Sequence, residues 1–409
     1  MSEWKKVKLG EICERVTSGG TPKANVSSYY NPPTIPWLKT KEVNYCRITE
    51  TENYISEEGL KNSSAKLISP NSVIIAMYGQ GDTAGRVAIN KIPLATNQAC
   101  CNLTIDKSKA DYEFIYYQLC TLYDKLVSLK AGAAQPNLNA RIIKNLEIIM
   151  PSLPIQHRIA SILSRYDSLI ENYQKQTKLL EEAAQRLYKE WFVDLHSPGH
   201  ENAKIVDGVP EGWEKKTIDD VTCKVTTGLN PRKNFVLGKG SNYYVTIKNM
   251  ADNTLFLDDR CDRVDNEALE KINKRSDLKI GDILFSGIGT IGRVALVDIP
   301  TNNWNVSESV FTLRVNDIVT KEFLYLMLLS PDMQNYCQSN AHGAAQKGIR
   351  MADLKAYSFN LPPFGVIQKF TNLVTPTIKK VSSIRNQIRL LTEARDRLLP
   401  RLMNGEIAV

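Results

Sequence analysis

The chain has 409 residues, enough for two or three domains that each bury their own core. Its hydrophobic content of 43% and charged content of 23% are those of a soluble globular protein, and its net charge of +8 permits an anionic partner such as nucleic acid without requiring one. The eight cysteines form no Cys-x-x-Cys spacing and no run of about 18 apolar residues occurs, which argues against a zinc site of the usual kind and against a membrane-spanning helix. With free thiols and no export signal behind the first residues, we expect a cytoplasmic protein without membrane contact.

In chain order, the sequence is a globular segment followed by a helical segment, twice over. Gly85-Arg86-Val87-Ala88 recurs 207 residues later as Gly292-Arg293-Val294-Ala295, and Gly132-Ala133-Ala134-Gln135 recurs 211 residues later. Further pairs in the same order are Leu9–Ile12 with Ile218–Val221, Val16–Gly19 with Val225–Gly228, and Glu113–Tyr116 with Glu322–Tyr325. Matches that keep one order along the chain indicate an internal repeat.

Each globular segment alternates short β-branched runs with turns and amphipathic stretches. Val73–Met77 and Asp282–Phe285 predict strands, whereas Glu113–Leu126 and Glu322–Leu329 predict helices with one apolar face. We therefore expect two similar mixed α/β domains, at residues 1–150 and 212–361. The pattern does not give the order of their strands.

The helical segments carry apolar residues at a sustained 4,3 spacing, which is the signal of a coiled coil. The two seams are Ile159, Leu163, Tyr166, Ile170, Tyr173, Thr177, Leu180, Ala184, Leu187 and Trp191, then Phe370, Val374, Thr377, Val381, Ile384, Ile388, Leu391, Arg395, Leu398 and Leu402. Only Arg395 breaks the apolar pattern. We predict spacer helices at 151–196 and 362–409 joined through a linker at 197–211. Since one chain supplies both helices, we expect them to pair, and two equal domains related by a pseudo-two-fold axis would make the pair antiparallel.

An enzymatic alternative comes from two short motifs that resemble those of methyltransferases. Phe285–Gly289 matches the Phe-x-Gly-x-Gly pattern that holds S-adenosylmethionine, and Asn31–Thr34 nearly matches the Asn-Pro-Pro-aromatic motif of amino-methyltransferases. Against this reading, the aromatic position is Thr34, and the glycine loop is followed by the strand-like Arg293–Val297 instead of a helix. A hairpin in both repeats explains the same residues, so a self-sufficient methyltransferase remains the alternative.

Basic and amide side chains recur near turns in both copies, where they could contact DNA. Arginine and lysine can hold phosphate, arginine can read guanine, and asparagine can read adenine. For any single residue, a solvated surface charge is an equally good explanation. The candidates are Lys39, Lys41, Arg86, Asn137, Asn139 and Arg141 in the first copy, and Lys248, Arg293, Lys347 and Arg350 in the second.

The ordered and duplicated motifs resemble the specificity subunits of type I restriction–modification systems over nearly the whole chain. The motifs are Val16–Pro22, Trp37–Lys39, Gly85–Ala88, Gly132–Leu138, Pro151–Gln156 and Leu187–Val193. The second copy departs from them where Thr21-Pro22 becomes Asn230-Pro231 and Pro136-Asn137 becomes Lys347-Gly348. Such differences suit a domain that reads another DNA sequence.

The resemblance implies two target recognition domains, held apart by the antiparallel helices, that each read half of an asymmetric site in double-stranded DNA. It also implies a subunit without catalytic residues or a cofactor of its own. Two methylation subunits would supply S-adenosylmethionine and modify adenine, and restriction subunits, if present, would use ATP and Mg. Specificity would lie in dissimilar segments such as Ala24–Thr34 and Asn44–Ala65. A purely structural scaffold is the third possibility.

Overall fold

In a computed structural model, the chain is described over residues 4–79, 81–130, 137–251, 253–343 and 347–409. It divides into two compact units. Unit 1 comprises Met1–Glu171 and Arg389–Val409, and unit 2 comprises Asn172–Ile388. Each unit therefore holds one globular segment together with part of each helical segment.

The globular segment of unit 1 is a mixed α/β domain with a larger and a smaller sheet. Its strands and helices are β1 (Lys5–Lys8), β2 (Cys13–Ser18), β3 (Ile35–Leu38), β4 (Cys46–Ile48), β5 (Tyr54–Ile55), α1 (Glu57–Lys61), β6 (Leu67–Ile68), β7 (Val73–Ala76), β8 (Val87–Asn90), β9 (Leu94–Thr96), β10 (Cys100–Ile105), α2 (Tyr112–Thr121), α3 (Tyr123–Ser128), α4 (Ala140–Lys144) and β11 (Glu147–Met150). The larger sheet has the order β2-β10-β7-β8-β4, the smaller one has the order β5-β3-β9-β6, and β1 pairs with β11. The β4–β8 and β3–β9 pairs are parallel.

The two faces of β7 explain why this strand is apolar throughout. Val73 and Ile75 share a core with Phe114 of α2, whereas Ile74 shares a second core with Leu38 of the smaller sheet. Successive side chains of a strand point to opposite faces, so a strand covered on both sides needs apolar residues at every position. The larger sheet is thus the middle layer of the domain.

The helical segment that follows begins as α5 (Leu153–Tyr188) and continues through a π-helical turn at Lys189–Val193. Unit 2 then repeats the architecture of unit 1. Its elements are β12 (Ile205–Val206), β13 (Val209–Pro210), β14 (Glu214–Thr217), β15 (Thr222–Thr227), α6 (Pro231–Asn234), β16 (Asn242–Val245), β17 (Met250–Ala251), β18 (Thr254–Leu255), β19 (Asp262–Val264), α7 (Asn266–Ser276), β20 (Ile283–Ser286), β21 (Val294–Leu296), β22 (Trp304–Val306), β23 (Val310–Val315), α8 (Lys321–Leu328), α9 (Pro331–Ser339), α10 (Met351–Lys355), β24 (Ser358–Leu361) and α11 (Phe364–Met403). The sheet orders are β15-β23-β20-β21 and β19-β16-β22, and β14 pairs with β24.

Equivalent positions of the two domains have the same packing and helix-capping roles, which confirms the predicted repeat. Phe285 of β20 shares a core with Phe323 of α8, while Leu284 faces the second sheet, as Ile74 does in unit 1. Helices α2 and α8 begin in the same way, because the side chains of Asp111 and Thr320 accept hydrogen bonds from backbone N–H groups three residues later. The predicted helix at Glu113–Leu126 is divided at Leu122 into α2 and α3.

The long helices run antiparallel to each other within each unit. In unit 1, Ile159 near the start of α5 shares a core with Leu402 near the end of α11. In unit 2, Tyr188 at the end of α5 shares a core with Phe370 near the start of α11, and their ring centroids lie 6.2 Å apart. All the seam residues predicted from the sequence are described, and each is buried or half-buried. The predicted coiled-coil seam is confirmed. Within the described part of the chain, no helix is long and apolar enough to cross a membrane.

Candidate nucleic-acid interface

A β-hairpin with a repeated sequence lies at the centre of the candidate site in each unit. Strands β7 and β8 form it in unit 1, and β20 and β21 form it in unit 2. Gly85 and Gly292 end the connecting loops with φ angles of +97° and +91°, a conformation that favours glycine. Each glycine is followed by a candidate arginine, Arg86 or Arg293, immediately before the second strand.

This hairpin also decides between the two readings of the glycine motif at Phe285–Gly292. The loop returns into β21, which pairs antiparallel with β20. A loop that holds S-adenosylmethionine would instead open a helix at this point. The expected hairpin is confirmed, and the methyltransferase alternative is not favoured.

A one-turn 3-10 helix lies beside the hairpin in each unit and presents a lysine. The turns are Thr40–Glu42 and Ile247–Asn249, and they begin with equivalent hydrogen bonds. In unit 1 the backbone N–H of Lys39 donates to Oε1 of Glu42 over 3.0 Å, and in unit 2 that of Thr246 donates to Oδ1 of Asn249 over 2.9 Å. Lys41 and Lys248 are exposed at the same position of the two turns.

The hairpin arginine joins the two elements in each unit. Nη1 of Arg86 donates to Oδ1 of Asn44 over 3.0 Å, just after the first turn. Nη1 of Arg293 donates to the backbone oxygen of Ile247 over 2.8 Å, at the start of the second turn. The turn lysine and the hairpin arginine are therefore brought together twice, through different acceptors.

The segment that follows each Gly-Ala-Ala-Gln sequence forms the third element of the site. The backbone N–H of Leu138 donates to the oxygen of Met77 over 3.0 Å, and that of Ile349 donates to the oxygen of Gly287 over 2.8 Å. Both acceptors lie where the first hairpin strand ends. The candidates Asn137, Asn139 and Arg141, and likewise Lys347 and Arg350, thus flank the hairpin of their own unit. Residues 132–135 and 344–346 lie outside the described residues.

Some of the candidates have partners within the domain. Nζ of Lys39 lies 2.9 Å from Oδ1 of Asn53 and 5.0 Å from the ring centroid of Trp37. Asn139 caps α4 by accepting a hydrogen bond from the N–H of Ile142. Arg86 also pairs with Asp82 over 2.5 Å, and Lys41 pairs with Glu52 over 2.7 Å. Exposed ion pairs contribute a median of only about 0–1 kcal/mol to folding stability. A DNA phosphate could therefore replace the carboxylate as the partner of the cation at little cost in free energy.

Two further residues of unit 1 lie next to the hairpin and were missed by sequence reasoning. Tyr45 has a φ of +52°, its side chain is exposed, and its ring lies 6.4 Å from that of Tyr123 beside the hairpin loop. Arg47, two residues later, is buried with only 6% of its side chain exposed. The only available signal was their place in the dissimilar segment Asn44–Ala65, because neither the left-handed backbone nor the burial can be read from the local sequence.

The glycine motif near the start of each copy has a packing role. A Cβ at Gly19 would lie 2.1 Å from the backbone oxygen of Thr96, and one at Gly228 would lie 1.6 Å from that of Val306. Two residues later, the Asn230 side chain donates to Oε1 of Glu308 over 2.7 Å in unit 2, while Thr21 donates to Gln98 in unit 1. The motif therefore joins the two sheets of its domain. Among the described residues, no group of three His, Cys, Asp or Glu could hold a metal ion.

Comparison with known proteins identifies the family. Residues 1–182 and 210–388 match the type I restriction modification DNA specificity domain. The chain belongs to this family. Because each matched segment contains one hairpin site, the specificity domain and the candidate interface recur together, once in each half of the sequence.

Relatives in this specificity-domain family align with the entire chain. The type I restriction enzyme MjaIX specificity subunit of Methanocaldococcus jannaschii is 28% identical over 417 residues, covering 100% of this chain and 94% of the relative. The HindI specificity subunit of Haemophilus influenzae is 23% identical over 482 residues, covering 100% of both. The crystal structure of the S subunit from M. genitalium shares the fold, with a TM-score of 0.63 at 17% identity, and the match covers 98% of this chain and 96% of that one.

Proposed function

We propose that this chain binds double-stranded DNA at a bipartite, asymmetric site and brings it to the methylation subunits of a type I restriction–modification complex. Each recognition domain reads one half-site with its hairpin, its 3-10 turn and the segment before α4 or α10. The observation that carries this proposal is the recurrence of these elements with basic side chains in both units. Their arginines have different acceptors, and their dissimilar flanking segments suit two different half-sites.

Paired readers suit the energetics of DNA recognition. Each base pair contributes only about 1–3 kcal/mol of discrimination, so one short half-site has limited specificity. When two readers belong to one chain, the second binding event becomes intramolecular and the total affinity rises. The helices at 151–196 and 362–409, with the linker at 197–211, would act as the spacer between recognition domains at 1–150 and 212–361.

The ten candidate residues divide by their environment into two proposed roles. The exposed cations Lys41, Lys248, Lys347, Arg141 and Arg350 contact phosphates, which fixes the position of the domain on the duplex. The remaining candidates, Lys39, Arg86, Asn137, Asn139 and Arg293, shape the hairpin edge or reach the bases. We expect Tyr45, exposed beside Arg86, to contact DNA as well.

The partners follow from the same proposal. Two methylation subunits dock on the chain and supply S-adenosylmethionine for adenine methylation. Where restriction subunits join, they supply the ATP- and Mg-dependent cleavage. The chain itself contributes recognition in the cytoplasm and holds none of these cofactors.

Methylation mapping of a genome with and without this chain tests the proposal. The expected result is one bipartite, asymmetric adenine motif that is methylated in the presence of the chain and disappears without it. An unchanged set of methylated motifs would contradict the proposed function. Mapping with Lys41→Ala and Lys248→Ala variants should show lower methylation of the same motif.

A further inference from the structure

A buried cluster of charged groups joins the recognition domain of unit 1 to both long helices. Nη1 of Arg47, from β4, lies 3.1 Å from Oδ2 of Asp167 and 3.3 Å from Oε1 of Glu171, both on α5. Nη1 of Arg395, from α11, lies 2.7 Å from the other oxygen of Asp167. Tyr117 of α2 completes the cluster, since its hydroxyl accepts from Nη2 of Arg47 over 2.9 Å and donates to Asp167 over 2.5 Å.

The guanidinium of Arg47 stays charged in this environment. Burial on its own would lower the pKa of Arg47, but the electrostatic interactions with Tyr117, Asp167, Glu113 and Glu171 outweigh burial and raise the pKa. Buried ion pairs add little to stability compared with apolar packing, because desolvation offsets their attraction. Their best-attested use is to select one arrangement of the packed elements, since any other arrangement leaves a buried charge without its partner.

Unit 2 holds a similar connection built from different side chains. Arg385 comes from α11, with 10% of its side chain exposed, and pairs with Glu181 of α5 over 2.5 Å. Its Nη1 donates to the backbone oxygen of Asn253 over 3.0 Å. Asn253 belongs to the recognition domain, and its own Oδ1 accepts from the N–H of Val294, the residue after the hairpin arginine.

Both connections reach the same place in the domain, next to the hairpin that carries Arg86 or Arg293. Tyr45, two residues before Arg47, has a φ of +52° and donates its N–H to the oxygen of Val87. Asn253 also has a φ of +52° and bonds to Val294, which is the repeat equivalent of Val87. In unit 1 the arginine comes from the domain, whereas in unit 2 it comes from the helix.

Sequence duplication does not explain these connections. At the offset of 211 residues that the helices keep, Arg385 corresponds to Gln174 and Arg395 corresponds to Ala184. The two copies therefore connect the same part of the domain to the helices with unrelated side chains. This agreement in position without agreement in sequence points to a functional requirement shared by both recognition domains.

We propose that Arg47 and Arg385 are positioning residues that hold the recognition hairpin of each unit in one orientation on the spacer helices. This inference rests on the proposed function, because orientation matters only if two hairpins must meet one DNA duplex together. If a recognition domain could rotate on its helices, the chain could bind half-sites at several separations. If its orientation is fixed, the chain should bind half-sites at one separation and bind poorly when the separation is one base pair longer or shorter.

The test uses the chain assembled with its methylation subunits and DNA in which the two half-sites are separated by the natural spacer or by one base pair more or less. Two readers linked with fixed geometry lose their mutual enhancement when they cannot bind together, so the unaltered complex should prefer its natural spacer by on the order of 100-fold. In Arg47→Met and in Arg385→Met this preference should fall by about tenfold, while the half-site sequences stay the same.

Arg314→Met is the matched control. Arg314 pairs with the buried Asp282 over 2.7 Å, but its partners Asp277 and Asp282 both lie within the recognition domain. This variant should unfold at a lower temperature and keep its spacer preference. The proposal would be overturned if folded Arg47→Met and Arg385→Met kept the full preference for the natural spacer. It would also be overturned if this preference fell equally in Arg314→Met.

Lysine variants cover the case in which the methionine variants do not fold. Arg47→Lys and Arg385→Lys keep the charge but lose one of the paired donors, and their preference should fall by about threefold. An unchanged preference in these variants also contradicts the positioning role. If the unaltered complex has no spacer preference, the proposed bipartite function fails, and the role of both arginines fails with it.

Discussion

Removing the charge of Asp167 should destabilise unit 1 far more than removing Arg395, although these residues pair with each other. Asp167 is 7% exposed, accepts hydrogen bonds from Arg395 and Tyr117, and forms an ion pair with Arg47. In Asp167→Asn, the buried guanidinium of Arg47 loses this carboxylate, while the half-buried one of Arg395 keeps only Asp396. Breaking a buried pair costs about 3–5 kcal/mol.

Arg395→Leu, in contrast, leaves no buried charge without a partner. Asp167 keeps Arg47 and Tyr117, and a leucine restores the apolar seam between Leu391 and Leu398. Because the Arg395 side chain is 25% exposed and Asp167 is left with other partners, the loss is that of a partly exposed ion pair, and the free energy of unfolding should change by about 1 kcal/mol or less. The two substitutions at one ion pair should therefore differ by at least about 2 kcal/mol.

The assay must report on unit 1 alone, because a chain with two compact units need not unfold in one step. Native-state hydrogen exchange of the backbone amides of α2 meets this need, since it gives the free energy of opening for one region. Equal losses in the two variants, or a larger loss in Arg395→Leu, would refute the idea that Asp167 is the shared centre of the cluster.

Three further outcomes follow from glycine packing, surface charge and thiol burial. Gly228→Ala should lower the free energy of unfolding by about 4 kcal/mol or prevent folding, because its Cβ would overlap a backbone oxygen. The Cβ of Gly365→Ala meets open space at the start of α11, so thermal unfolding should show this variant to be neutral or more stable by up to about 1 kcal/mol. Lys248→Ala should weaken DNA binding and reduce the slope of log affinity against log salt concentration by about one unit. The control Lys271→Ala, on α7, should leave both unchanged. At pH 8, a disulfide reagent should modify the exposed Cys223 in the folded protein but spare Cys101, because burial raises the pKa of Cys101 to about 12.

Each of these expectations has a clear contrary result. Equal stability of the two alanine variants would mean that the glycine motif does not join the sheets as described. Equal salt slopes for the two lysine variants would remove the 3-10 turn of unit 2 from the DNA surface. Rapid labelling of Cys101 in the native state would show that its strand opens far more readily than its buried position implies.

The features that the sequence predicted are those governed by local periodicity. The 4,3 spacing revealed the coiled-coil seam because a helix repeats every 3.6 residues, whatever it packs against. Strands were visible as short β-branched runs, and the repeat was visible as motifs that recur in one order along the chain. Strand order was not, since the parallel pairing of β3 with β9 joins residues almost 60 positions apart through contacts that no local pattern encodes.

The candidate site shows the same limit. The recurring Gly-Arg-Val-Ala motif led to Arg86 and Arg293, and both lie on the hairpin. Arg395 appeared only as a break in the seam, because its partner is 228 residues away, and the pairing of Arg385 with Glu181 spans 204 residues. Long-range ion pairs have no signature in a single sequence.

The most direct test of the two-reader mechanism is to delete one heptad from the middle of each long helix and map the methylated motif again. Seven residues at 1.5 Å each shorten a helix by about 10 Å, which corresponds to about three base pairs at 3.4 Å per step. A control that replaces the heptad with another of equal length and the same seam should leave the motif unchanged. The prediction is a spacer shorter by about three base pairs between unaltered half-sites, whereas altered half-site sequences, or an unaltered spacer, would contradict it.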